Sequence, residues 1–448
     1  MSTPTLEPPR RSLFSMTWPI FLELVLQMLV GNADQFMIGR YSQTGAAAIG
    51  NCNQVMNVFL LTFGVVNTAT TILISQYKGA SNRERMGETA SLALFTNLTV
   101  SLVIGLVLIF GNRLIFTWMR LPSDVMVEAC AYFRVVGSCV FLPAVFLTMT
   151  AIFRSNGWLK EALGISALIN VLNILGNAAL INGFGPLPAL GLVGVAISSN
   201  FARLVGICVF VVLLSRRRET LRVSARFLRP FPALQEKRLL AIGIPSGGES
   251  LSYTTSQVVI LRMINSFGTK VIAAGVYGKM FATVSYLYTS ALAQGSQILV
   301  GYLAGAGKLD DVDRQMKATL KTGLAASFCV SLIIYSLSGY LFAFFNPDPE
   351  VVALGRIIML IDIPLELGRA VNMIVIRSLQ AAGDIRFPVV SGIICVWAIE
   401  VPLSWFFGVK LSLGLPGIWA AMACDELFRA GVYLLRWKKG VWRQKKLI

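Results

Sequence analysis

The sequence contains no histidine. Imidazole is the usual switch near neutral pH and the commonest metal ligand, so any proton relay here must run through carboxylates, tyrosines or water. Cysteines are few, at seven, and none falls in a C-x-x-C spacing. Neither a zinc site nor a disulfide framework is indicated. Charge is scarce at 14% of residues, about half the usual share for a soluble domain. Acidic residues number only 22 against 39 Lys and Arg.

What fills the space is apolar: 55% of the 448 residues. These residues arrive in long runs, as at 92–110, 135–153 and 325–344. A bilayer span needs about 20 predominantly apolar residues. The start, Met1–Ser12, is polar and Pro-rich, and the apolar segment after it is too long for a secretory h-region. It reads as a first span rather than a cleavable signal. The pattern predicts twelve spans near 13–40, 44–77, 89–112, 128–153, 161–183, 189–215, 239–265, 271–303, 318–344, 351–381, 387–408 and 414–437.

A formal charge of +17 raises nucleic acid as a partner, but the distribution of charge argues against it. Arg216, Arg217, Arg218, Arg222, Arg226, Arg229, Lys237 and Arg238 crowd one central loop. Arg436, Lys438, Lys439, Arg443, Lys445 and Lys446 crowd the end. The gaps on the other side hold only Arg40, Arg113, Arg120, Lys270 and Lys410. This is the positive-inside asymmetry of a membrane protein, and it predicts both termini in the cytoplasm.

The two halves repeat at an offset of 226 residues. Trp18-Pro19-Ile20 with Glu23 corresponds to Ile244-Pro245-Ser246 with Glu249. Ser75–Ala80 corresponds to Gly301–Ala306, and Arg154–Gly157 to Gln380–Gly383. Later, Gly191-Leu192-Val193-Gly194 matches Gly414-Leu415-Pro416-Gly417, with the offset drifting to 223. Units with an even number of spans enter the membrane from one side, so the repeat is parallel, about an axis along the membrane normal. The expected fold is all-α integral membrane, with two six-helix lobes at 1–215 and 239–448 joined by a basic linker at 216–238.

Several segments carry a family resemblance over nearly the whole chain. They are Asn32-Ala33-Asp34-Gln35-Phe36-Met37-Ile38-Gly39-Arg40, Ile242–Glu249, the pair Ser75–Ala80 and Gly301–Gly307, and Leu379-Gln380-Ala381-Ala382-Gly383-Asp384. In this order the sequence resembles the multidrug and toxic compound extrusion (MATE) antiporters. The resemblance implies a twelve-helix, two-lobe fold and cation-coupled export of organic, often cationic, compounds.

An ionisable group inside the bilayer is costly and marks a functional candidate. Asp34 matches the helix 1 aspartate of the family's N-lobe cation site. Glu23 and Gln27 fall on the same side of that helix, and are expected to line a substrate cleft. Asn170, Asn173 and Asn177 share one face at spacings of three and four, as cation ligands or as glue between helices. Many family members have an aspartate where Asn177 stands, so a tight Na⁺ site in this lobe is less expected and proton chemistry at Asp34 more so. Ser199 is a further candidate ligand should Na⁺ bind with Asp34, Asn173 and Asn177. Glu249 matches a helix 7 glutamate implicated in coupling or substrate binding, and it begins a polar stripe of Ser252, Tyr253, Ser256 and Gln257, of which the last three are expected to line the substrate cleft. On helix 10 both Asp362 and Glu366 fit the acid that partners this glutamate in one branch, although Glu366 can also pair with Arg369. Glu400 is another partner candidate. Arg134, Arg203, Arg262 and Lys279 are expected to snorkel or pair, and Asp425, Glu426 and Arg429 to form a local cluster.

The expected activity is antiport of organic molecules against H⁺ or Na⁺ by alternating access. No cofactor is expected, and the partners are a small organic substrate and the bilayer of a bacterial cytoplasmic membrane, with the chain a monomer. The alternatives are a flippase for a lipid-linked saccharide, which needs a cleft rich in Arg and Lys, and an integral-membrane transferase. The transferase needs metal-binding acids, and the nearest acidic pair, Asp310-Asp311, stands alone in a short loop.

Overall fold

The computed structural model describes residues 13–184 and 188–448, apart from the side chain of Asn32. The polar start with Arg10 and Arg11, called basic and cytoplasmic from sequence, lies outside the described residues. Twelve helical segments follow in order: α1 Leu13–Tyr41, α2 Gln43–Gly79, α3 Arg83–Trp118, α4 in two pieces at Ser123–Ser138 and Phe141–Ser155, α5 Leu159–Ile181 and α6 Gly191–Arg216. Then come α7 Ala233–Asn265, α8 Thr269–Gly305, α9 Leu309–Phe345, α10 Pro349–Ala381, α11 Arg386–Lys410 and α12 Gly414–Lys438. Seven are long and apolar enough to cross a bilayer by length and composition, and α4 makes an eighth if its bent pair is one span. The other four, α7, α8, α10 and α12, are long enough but carry polar and charged residues along their middles. Buried charge gathers on two of them, with Asp362 and Glu366 on α10 and Asp425, Glu426 and Arg429 on α12.

Two differences from the sequence expectation have physical causes. Helix α4 bends by 50° at residues 139–140 instead of running straight. Pro143 lacks an N–H and its ring crowds the preceding turn, so the ladder breaks just before it. Helices α3, α7 and α9 begin at 83, 233 and 309, several residues before their apolar runs. Their first turns carry charges and stay helical because i,i+3 and i,i+4 pairs such as Arg85–Glu88 and Lys317–Asp313 support them. Pro245 lies inside a continuous α7.

Residues 22–244 form one compact unit, and residues 13–21 with 245–448 form the other. The basic stretch 216–238, expected as a linker, packs with the first unit. Gln235 donates to Thr89 (2.8 Å) and accepts from Tyr77 (3.1 Å), and Ser224 N–H donates to Ser91 (3.0 Å). In the first unit the core is built from Ile49, Phe63, Phe116, Phe133 and Val195. In the second unit one core gathers around Phe342, Ile358 and Ile418, and another around Met316, Val375 and Trp437.

The internal repeat is visible in local geometry. Helices α2 and α8 start and stop 226 residues apart. Ser81 and Gly307 end their turns at φ +57° and +72°. Gly157 and Gly383 are both left-handed, at +77° and +105°, as are Gly191 and Gly414, at +51° and +60°. Left-handed backbone is nearly free only for glycine, which explains why the last two pairs match in sequence; Ser81 adopts it where its counterpart is Gly307.

Candidate functional site

In the first unit, α1, α5 and α6 converge on Asp34. Asn177 Nδ2 donates to Asp34 Oδ1 at 2.5 Å and lies 3.4 Å from Asn173 Oδ1. Asn173 Nδ2 donates to Ser199 Oγ at 2.8 Å, and Ser198 Oγ donates to the Asn173 carbonyl at 2.9 Å. Asn173, Asn177, Ser198 and Ser199 are all buried, whereas Asp34 is half-buried. The i,i+4 spacing on α5 puts both amides on one face. Gly176 lets α6 approach, since a Cβ there would lie 2.3 Å from Ser198 Oγ. Among the described residues no Lys or Arg pairs directly with Asp34, although the charge of Arg203 reaches it. Asn177 Oδ1 is buried and has no hydrogen-bond partner. Asn170 does not join this chain of contacts, and its amide nitrogen is unpartnered.

Glu23 does not share this environment. It is 1% exposed and receives Arg154 Nε at 3.0 Å, Arg154 Nη2 at 2.8 Å and Ser166 Oγ at 3.0 Å. Its carboxylate is consumed in tying α1 to α4 and α5, while Gln27, one turn on, is exposed. The expected stripe on α1 is therefore three separate environments, not one open cleft wall.

In the second unit, Glu249 is half-buried and faces α11 and α12. Its Oε1 would meet a Cβ on Gly392 at 3.1 Å, and Tyr433 Oη would meet the same Cβ at 3.0 Å. Among the described residues neither a hydrogen bond nor an ion pair engages Glu249. Arg377 and Arg429 are the cations whose fields reach it. Neither Asp362 nor Glu366 is bonded to it, contrary to the pairing expected from sequence. Glu366 instead pairs with Arg369. That arginine extends to Glu426 at 3.5 Å, and Arg429 binds Asp425 at 2.6 Å and Glu426 at 3.2 Å. Asn372 closes the network by donating to Glu426 Oε2 at 2.6 Å. Buried charges in hydrocarbon are tolerated when paired in this way.

Asp362 lies instead in the wall of a cavity of about 350 Å³ inside the second unit, with Tyr253, Gln257, Lys279, Arg369 and Trp419. Gln257 donates to Glu400 at 2.8 Å, and Ser252 accepts from Trp397 at 2.9 Å. Ser256 turns away: it is fully buried and its hydroxyl donates to the Tyr253 carbonyl at 2.8 Å. Sequence reasoning expected Lys279 to snorkel or pair, and it gave no role to Arg377 or Tyr433. The available signal for Lys279 was a lone charge in the middle of an otherwise apolar and small-residue stretch of α8.

Comparison with known proteins adds three findings. The family model described as MatE matches residues 19–179 and again 245–406. The second match begins 226 residues after the first, the offset already visible in the sequence. An uncharacterized transporter of Bacillus subtilis, YisQ, is 35% identical over 97% of this chain and 95% of its own length. A probable multidrug resistance protein of Thermotoga maritima, NorM, is 24% identical over 98% of this chain and 94% of its own. Among solved structures, one described as MATE in the bent conformation superposes with a TM-score of 0.90 at 17% identity, covering 99% of both chains.

Proposed function

The chain belongs to the MatE family and is a multi-pass membrane transporter, and from that premise we propose that it is an antiporter, driving organic molecules out of a bacterial cell against inward movement of H⁺. The observation that carries this reading is Asp34. It is the one acid of α1 held by neutral amides alone, Asn177 foremost, whereas Glu23 on the same helix is neutralised by Arg154. An acid without a fixed counter-charge can take up and release a cation; one locked in an ion pair cannot do so cheaply.

The donor set favours the proton over Na⁺. A sodium site needs converging oxygens. Here Asn177 presents its Nδ2 to the carboxylate, so the first contact of Asp34 is a hydrogen-bond donor, and the only other carboxylate expected there is replaced by this amide. Binding of the ion drives transport only to the extent that it favours one access state over the other. Neutralising Asp34 would remove the charge that orients Asn177, which gives that differential a local origin. Positive-inside loops support cytoplasmic termini.

The test is efflux of a fluorescent dye from proteoliposomes under separately imposed proton and sodium gradients. Flux driven by the proton gradient alone is expected. Flux that responds to sodium alone, or to neither gradient, overturns the reading.

A further inference from the structure

The cavity in the second unit holds a feature that proton coupling does not use. Lys279, on α8, lines it and is exposed to it, and among the described residues no acid lies within ion-pair distance of its ammonium. The acid whose field reaches it most directly is Glu400, and Gln257 occupies that carboxylate at 2.8 Å. Arg369, which also lines the cavity, is held by Glu366 and Glu426, and Arg429 is held by Asp425 and Glu426. Asp362 also contributes to the wall, but it is 4% exposed, so the charge that an entering molecule meets is the ammonium.

Around that charge the walls are apolar and aromatic. Ile260, Ile264, Val276 and Leu365 supply the aliphatic surface, and Tyr286 and Trp419 the rings. A volume of about 350 Å³ is within the range of small-molecule sites. An unpaired cation within a bilayer is expensive, and a bound anion is the direct way to offset it. A small inorganic ion would satisfy the charge but leave the apolar walls uncovered.

We propose that this cavity is a binding site for an aromatic organic carboxylate, with its anion on the Lys279 ammonium and its ring system between the apolar walls and Trp419. The proposal names a substrate class for the transporter, and so rests on the transport reading given above; binding itself does not.

The test uses the full-length protein in detergent, with no gradient, and two probes that share one ring: 2-naphthoate and 2-naphthylmethylammonium. Binding is read by isothermal calorimetry. A charge-assisted contact predicts naphthoate binding tighter than the amine by roughly tenfold or more. Lys279→Met should remove that margin, and Lys279→Arg should keep most of it. Equal or tighter binding of the amine to the wild type overturns the proposal without any variant having to fold. Unchanged naphthoate affinity in Lys279→Met overturns it as well. Where naphthoate binds as expected but no gradient drives its flux in proteoliposomes, the binding site stands and its assignment as the substrate site falls, while the dye-efflux test judges the transport reading separately.

Discussion

Asn177 places its amide nitrogen 2.5 Å from Asp34 Oδ1 while its own Oδ1 is buried without a partner. A buried carbonyl oxygen left unmade costs about 1–3 kcal/mol. The orientation is therefore worth having only while Asp34 is an anion. Once Asp34 carries a proton, an amide rotated by half a turn would accept that proton and satisfy its oxygen. Ion occupancy and side-chain orientation are thereby linked on one contact between α1 and α5.

Two substitutions separate the parts of that link. Asp34→Asn removes the titrating group and keeps the shape; proton-driven efflux is expected to fall to that of empty vesicles, with elution from size exclusion unchanged. Asn177→Asp adds a second carboxylate at the same place. Two acids at contact distance do not both ionise freely and together hold a cation better, so this variant is expected to gain flux under a sodium gradient. Sodium-independent flux in Asn177→Asp would show that the amide is not what selects the proton.

Glu23 and Arg154 are expected to matter for stability rather than for coupling. Removing one member of a buried pair leaves the other charge uncompensated, at about 3–5 kcal/mol. Glu23→Gln should lower the detergent melting temperature clearly, and Glu23→Leu with Arg154→Met should recover most of the loss. The protein that remains folded should keep its proton-driven flux. A double variant as unstable as the single one would mean that Ser166 or packing, not charge, holds this corner.

How much of this was readable beforehand depends on the range of the interaction. The repeat was legible because glycine is demanded by backbone geometry at Gly157, Gly383, Gly191 and Gly414, and that demand is local. Spans were legible from hydropathy, but α4 was not read as bent because a proline in an apolar run leaves the run intact. Asp34 with Asn173 and Asn177 was legible because helical periodicity puts the two amides on one face. Glu23 was misplaced because its fate is set by Arg154, 131 residues away. The same limit hid Lys279: its lack of a partner is a fact about four helices at once, and no spacing along α8 contains it.

Asp348 offers a pH dependence outside the membrane. It caps α10, accepting from Glu350 N–H at 2.9 Å, and receives Lys270 Nζ at 2.9 Å. The Lys270 bond, then the backbone bond, hold its carboxyl below the usual value of 3.8. A depressed carboxyl contributes stability that is fully present above the unfolded pKa and is lost as pH falls through the folded one. The melting temperature of Asp348→Asn should therefore lie slightly below wild type at pH 7, and the two should converge below about pH 3. A gap that stays constant across that range would leave the ion pair without a role. Exposure makes the effect small.

The repeat makes its own prediction through Gly194 and Gly417. Each sits three residues after a left-handed glycine, at the start of α6 or α12, and each brings its helix onto a carbonyl of the segment before it. A Cβ on Gly194 would stand 2.7 Å from Leu180 O, and one on Gly417 2.7 Å from Phe407 O. Backbone on both sides leaves nothing flexible to move, so the added methyl must push the helix aside. Overpacking of this kind costs about 1–3 kcal/mol. Gly194→Ala and Gly417→Ala should each destabilise the protein, and by similar amounts, because the same close approach has been kept in both units. Gly31→Ala and Gly431→Ala, where a Cβ meets nothing within 4 Å, are the controls and should be neutral or slightly stabilising. Equal melting temperatures for all four variants would mean that these glycines match for a reason other than the contact.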